Sequence, residues 1–132
     1  MSARRWKAGL RGAALLVGLA LAACDSGPKG PGVLNATVEG PQALGAVVLE
    51  FTGMGVRGFE AQGTTQVYSV AGAGGAARQR VILVSPTGDT RIRFGIDLED
   101  RGADLPGVVA VSAASPDNVP MTAAGLKVRI ER

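Results

Sequence analysis

From residue 33 to residue 132 the chain alternates short apolar runs with polar breaks. The clearest run is Asp89–Asp100 (DTRIRFGIDLED). Ile92, Phe94, Ile96 and Leu98 take every second position, with Arg91, Arg93, Gly95, Asp97 and Glu99 between them. Successive side chains of a strand point to opposite faces, so this period of two predicts a strand with one face in a core and one in solvent. Leu126, Val128 and Ile130 repeat the pattern against Lys127, Arg129 and Glu131, and Val47, Leu49 and Phe51 share one face of Ala46–Thr52. Arg80–Ser85 (RVILVS) is apolar at consecutive positions, which predicts a central strand buried on both faces; Pro106–Ala113 (PGVVAVSA) reads the same way. Weaker strands are expected at Val33–Glu39, Val56–Ala61 and Thr65–Val70.

The breaks between these runs carry turn chemistry. Ser85-Pro86-Thr87-Gly88-Asp89 combines a proline pre-set for a turn with a glycine free to take positive φ. Gly53-Met54-Gly55 is a second turn, Ala71–Ala76 (AGAGGA) reads as a hairpin tip, and Ser115–Pro120 as a loop before the last strand. About eight short strands with almost no helical periodicity predict an all-β fold, an antiparallel β-sandwich over residues 33–132. The layout is similar to the immunoglobulin-like and cohesin-like sandwiches of bacterial surfaces. Val48–Gly53 (VLEFTG), the Gly72–Gly75 hairpin and the Leu105–Val109 entry through Pro-Gly carry that resemblance. It implies a non-enzymatic interaction or scaffolding module with a protein partner. The adjoining dockerin segment is not seen, nor is the Cys–Trp–Cys core of antibody domains.

The N-terminal pattern is different. Residues 1–11 hold four cations and no acid, and an apolar run of about twelve residues, Gly12–Ala23, follows. A spanning helix needs about twenty apolar residues, whereas this length and these flanks suit the apolar region of a signal peptide. Leu21-Ala22-Ala23-Cys24 resembles a bacterial lipobox. The resemblance implies a signal peptide over residues 1–23, cleavage before Cys24, and acylation of Cys24, which becomes the lipidation site and first residue. The expected location is the cell envelope, lipid-anchored to a membrane, with the domain facing periplasm or exterior. Residues 24–32, rich in Gly and Pro, read as the lipidated cysteine and a flexible linker. Several acyl chains hold a protein stably where a single chain, at about 0.8 kcal/mol per buried CH₂, is marginal.

Processing changes the electrostatics. The whole chain has a formal net charge of +3, but Arg4, Arg5, Lys7 and Arg11 belong to the signal. The remainder keeps ten cations against eleven acids, a net charge of −1. A near-neutral domain lacks the basic footprint of a nucleic-acid binder, so no nucleic-acid partner is expected. The chain has no histidine and Cys24 is its one cysteine. A Ser-His or Cys-His nucleophile is therefore excluded, a zinc site would need carboxylates alone, and no cofactor is implied.

Among candidate sites, Asp97, Glu99, Asp100 and Asp104 gather carboxylates where a strand runs into a loop. Six to eight oxygens would suit Ca²⁺; the competing reading is that Asp97 and Glu99 solvate the outer face, paired with Arg91, Arg93, Arg78 or Arg80. No catalytic residue is assigned. Tyr68 and Phe59 would make a sugar-stacking platform if exposed, although Phe59 is expected in the core. The expected function is a lipid-anchored envelope protein with an interaction domain; the alternative is a carbohydrate- or small-ligand-binding lipoprotein.

Overall fold

The structure, a computed structural model, describes residues 27–71 and 77–132. Among these residues nine strands form: β1 (Gly32–Glu39), β2 (Ala46–Thr52), β3 (Val56–Ala61), β4 (Gln66–Ala71), β5 (Arg78–Val84), β6 (Arg91–Leu98), β7 (Gly107–Ala114), β8 (Pro120–Met121) and β9 (Lys127–Glu131). They lie in two sheets, one of four strands ordered β3-β6-β1-β9 and one of five ordered β4-β5-β2-β7-β8. Every pairing is antiparallel. The fold is an all-β antiparallel sandwich.

The alternating positions build the core from both sheets. Leu34, Ala36 and Val38 of β1 and Ile92, Phe94, Ile96 and Leu98 of β6 face Val47, Leu49 and Phe51 of β2 and Val81 and Leu83 of β5. Burying each such Val, Leu, Ile or Phe contributes about 1.5–3 kcal/mol. Phe51 sits at the centre, with its ring centroid 4.9 Å from Phe59 and 6.2 Å from Phe94. Phe59, expected in the core, is half-buried and packs against its edge.

Leu44 is fully buried although it lies in the loop between β1 and β2. That loop is tied down by backbone bonds: the Leu44 amide donates to the Asp89 carbonyl at 3.0 Å, and the Gly45 amide to the Ala114 carbonyl at 2.8 Å. A Cβ on Gly45 would lie 2.5 Å from the Ser115 carbonyl oxygen, so only glycine lets the two backbones meet. Gly88 takes φ of 68° in the turn between β5 and β6, which carries the chain from one sheet to the other.

Two expectations need correction. Pro120 and Met121 form a ninth strand where a loop is predicted; they pair with Ala114 and Ala113 at the sheet edge, where proline's missing N–H is tolerated. β5 and β7 lie inside their sheet, between β4 and β2 and between β2 and β8, but neither is buried on both faces, because Ile82 is 41% and Val109 65% exposed.

The registers also sort the ends of the sandwich. The starts of β1, β3, β5 and β7 and the ends of β2, β4, β6 and β9 lie at one end. Residues 27–31 enter there, alongside the Glu99–Pro106 loop. The β1–β2 loop and the Gln62–Thr65 and Ser85–Thr90 turns lie at the other.

Candidate functional site

The acidic group divides by role. Asp97 lies on the outer face of the four-stranded sheet, opposite Gly58. The register of β3 shifts between Val56 and Gly58, so Arg57 occupies a bulge. From there its Nη2 donates to Asp97 Oδ1 at 2.7 Å. The partner of Asp97 is therefore Arg57 and none of the four arginines expected. Arg91 pairs with Glu39, and Arg78 and Arg80 both pair with Glu50. Glu99 and Asp104 lie beyond the end of β6, and Glu99 is held by its backbone amide, which donates to the Gly55 carbonyl at 2.8 Å. Among the described residues no three carboxylates gather closely enough to hold a metal ion.

Asp100 has a structural task. Its Oδ1 accepts the backbone N–H groups of Gly102 and Gly30, each at 2.8 Å. These bonds favour the charged form and hold the carboxyl below its ordinary value of 3.8, with the positive charges of Lys29 and Arg101 adding to the effect. Arg101 completes the clamp. Its amide donates to the Gly30 carbonyl at 2.9 Å and its Nη2 to the Lys29 carbonyl at 3.0 Å. The segment expected to be flexible up to residue 32 is therefore fastened to the sandwich at residues 29 and 30. Cys24 itself lies outside the described residues, as do residues 72–76 of the hairpin tip.

Several exposed apolar side chains gather on the outer face of the five-stranded sheet. Its registers place Tyr68, Ile82 and Val48 in one rung, Val70, Arg80, Glu50 and Val109 in the next, and Val84 and Ala46 in a third. Tyr68, Val70, Ile82, Val109 and Val111 are exposed, from 41% at Ile82 to 65% at Val109. Val111 joins them through a second bulge. β2 residues Val48 and Leu49 pair with Ser112 and Ala110, so Val111 is extra and the face periodicity of β7 resets. Val48, Tyr68, Val70, Ile82 and Val111 line a shallow depression of about 380 Å³ together with Arg80 and Ser112. The Tyr68 hydroxyl donates to Gln66 Oε1 at 3.2 Å, which leaves the ring face open. Glu50 between Arg78 and Arg80, at 3.5 and 3.3 Å, forms a charged rim with one cation in excess.

Sequence reasoning flagged Tyr68 alone of this set. The consecutive apolar positions of β5 and β7 were its visible signal, since Ile82, Val109 and Val111 are the positions that the inward-facing alternation does not use. The class that the fold defines is an antiparallel β-sandwich with one apolar outer face. Comparison of the chain with protein-family models, curated proteins and solved structures returns no significant match.

Proposed function

We propose that the chain is a lipid-anchored protein of the bacterial cell envelope whose sandwich is a non-enzymatic interaction domain. The observation that carries this reading is the apolar outer face of the five-stranded sheet. It spans four strands, about 14 Å at ~4.8 Å per strand, and three rungs, about 14 Å along the strands, so its area is on the order of 200 Å², with the Arg80–Glu50 pair inside it. Five exposed apolar side chains gathered on one sheet face, Tyr68, Val70, Ile82, Val109 and Val111, support a contact surface there. A stable complex buries about 800 Å² on each partner, so the patch is the apolar centre of a larger contact. Its surplus cation at Arg78 and Arg80 matches a partner with an apolar surface and a carboxylate at the rim.

The lipobox supports the anchoring half. With acyl chains on Cys24 and a clamp at Gly30, the chain between them spans at most about 20 Å when extended. The tether leaves from a strand end, so the end bearing the Glu99–Pro106 loop lies toward the bilayer. Both sheet faces then stand sideways to the membrane and open to neighbours. A cohesin-like or immunoglobulin-like scaffolding role is the finer form of this reading.

The test uses the full chain in its own envelope. Ile82→Asp combined with Val109→Asp places two charges on the patch without touching the core. Native-gel analysis of detergent extracts is expected to show a complex for the wild type and its loss in the variant, at unchanged melting temperature. Cys24→Ala is expected to accumulate as an unprocessed precursor without lipid by mass. Unchanged migration of the first variant, or normal processing of the second, contradicts the corresponding half of the proposal.

A further inference from the structure

The outer face of the other sheet is polar, and its centre carries an arrangement that the interaction reading leaves unused. β1 lies between β6 and β9, and their registers set Arg93, Thr37 and Arg129 side by side in one rung. The Cα atoms of the two arginines are two strand spacings apart, about 10 Å, within the closing reach of two long side chains. Eight arginines lie among the described residues. Arg57, Arg78, Arg80 and Arg91 pair with carboxylates, Arg101 with backbone carbonyls, and Arg132 with the Ala103 carbonyl. Among the described residues, Arg93 and Arg129 alone of these eight have no partner, and they flank the same threonine.

They also line one cavity of about 310 Å³, together with Thr37, Asn35, Gln62 and Arg91. The cavity owes its shape to Gly95. In register, Gly95 lies between Asn35 and Glu60. With no side chain there, Gln62 crosses β6 and its Nε2 donates to Asn35 Oδ1 at 2.8 Å. A Cβ at Gly95 would lie 2.6 Å from Val33 Cγ1 and 3.3 Å from Glu60 Cβ. Beyond Gln62, Arg91 and Arg93 the cavity continues into a second depression, lined by Thr64, Thr65, Thr90 and the carboxylate of Asp89, that runs to the end of the sandwich away from residue 30.

The geometry points to a binding site for an acidic saccharide, a sugar with an isolated carboxylate among hydroxyl or amide groups. A guanidinium offers parallel N–H donors that match a carboxylate, and two of them unpaired around one threonine hold a place for a single oxyanion. Glu39 and Glu131 also line the cavity and repel dense negative charge, which disfavours polyphosphates. Hydroxyl and carboxamide side chains dominate the rest of the trough, suiting a ligand rich in hydroxyls. Around Arg93 and Arg129 the lining offers little apolar surface for peptide side chains, and β1 and β6 are interior strands whose backbone groups are already paired. This site stands on the opposite sheet from the apolar patch, so either reading can fail alone.

Calorimetric titration of the full chain in non-ionic detergent, with trigalacturonate as the probe, tests it. Trigalacturonate is expected to bind, and the pair Arg93→Gln and Arg129→Gln to weaken binding at least tenfold. The pair Arg78→Gln and Arg80→Gln, on the other sheet, is expected to leave it unchanged. Tri-N-acetylglucosamine, which lacks the carboxylate, is expected to bind at least tenfold more weakly. Absence of trigalacturonate binding, or equal binding by the Arg93 and Arg129 variant, overturns the site. Equal competition by inorganic phosphate overturns the saccharide assignment and leaves a plain anion site.

Discussion

Asp100 and Gly30 are seventy residues apart in the chain, and the carboxylate of one holds the backbone amide of the other at 2.8 Å. The bond ties the entering segment to the loop after β6, and Arg101 closes over the same segment from its other side. The segment before β1 thus joins the sandwich at a defined point.

This clamp is sensitive to acid. Hydrogen bonds from Gly102 and Gly30 depress the folded-state value of Asp100 below 3.8. A depressed carboxyl adds stability that is fully present above the unfolded value and is lost as pH falls through the folded one. The clamp is therefore intact at neutral pH and releases only below pH 3.8. Amide protection at Gly30 and Gly102, each exchange rate taken relative to the intrinsic rate at the same pH, is expected to be high at pH 6 and to be lost in that acid window. In Asp100→Ala, exchange at both is expected to be faster already at pH 6. Equal protection in the variant at pH 6 would show that Asp100 does not hold the segment.

The core and the apolar outer face separate in a stability measurement. Phe94 is fully buried and its ring meets Phe51 edge-on. Phe94→Ala is expected to cost about 3–5 kcal/mol in urea unfolding, a large part of the 5–15 kcal/mol typical of a domain. Val109 is exposed, and Val109→Ala is expected to change stability by about 0.5 kcal/mol or less. A comparable loss for Val109→Ala would mean that the face serves the fold.

Most of the fold is legible because alternation survives at the strands that matter. Ile92, Phe94, Ile96 and Leu98 turn inward as their spacing requires, and Leu126–Glu131 and Ala46–Thr52 behave alike. The misreading of β5 has a physical cause. A strand buried on both faces and a strand with one apolar face in solvent have the same sequence pattern, and only the neighbours of Ile82 tell them apart. Bulges hid two further relationships. Arg57 reaches Asp97 because β3 slips by one residue, and Val111 faces outward because β7 does. The Asp100–Gly30 and Gln62–Asn35 bonds depend on partners distant in sequence, so no local pattern announces them. Leu44 is buried from a loop, where neither period applies.

The central claim is that the β4-β5-β2-β7 face meets a protein partner in the envelope. Site-specific photo-crosslinking in living cells tests it most directly, with a photoreactive residue in place of Val109 and, as a control on the other sheet, of Lys127. The account predicts one discrete crosslinked product from position 109, abolished by Ile82→Asp, and none from position 127. No product at position 109, or the same product from both positions, would contradict it.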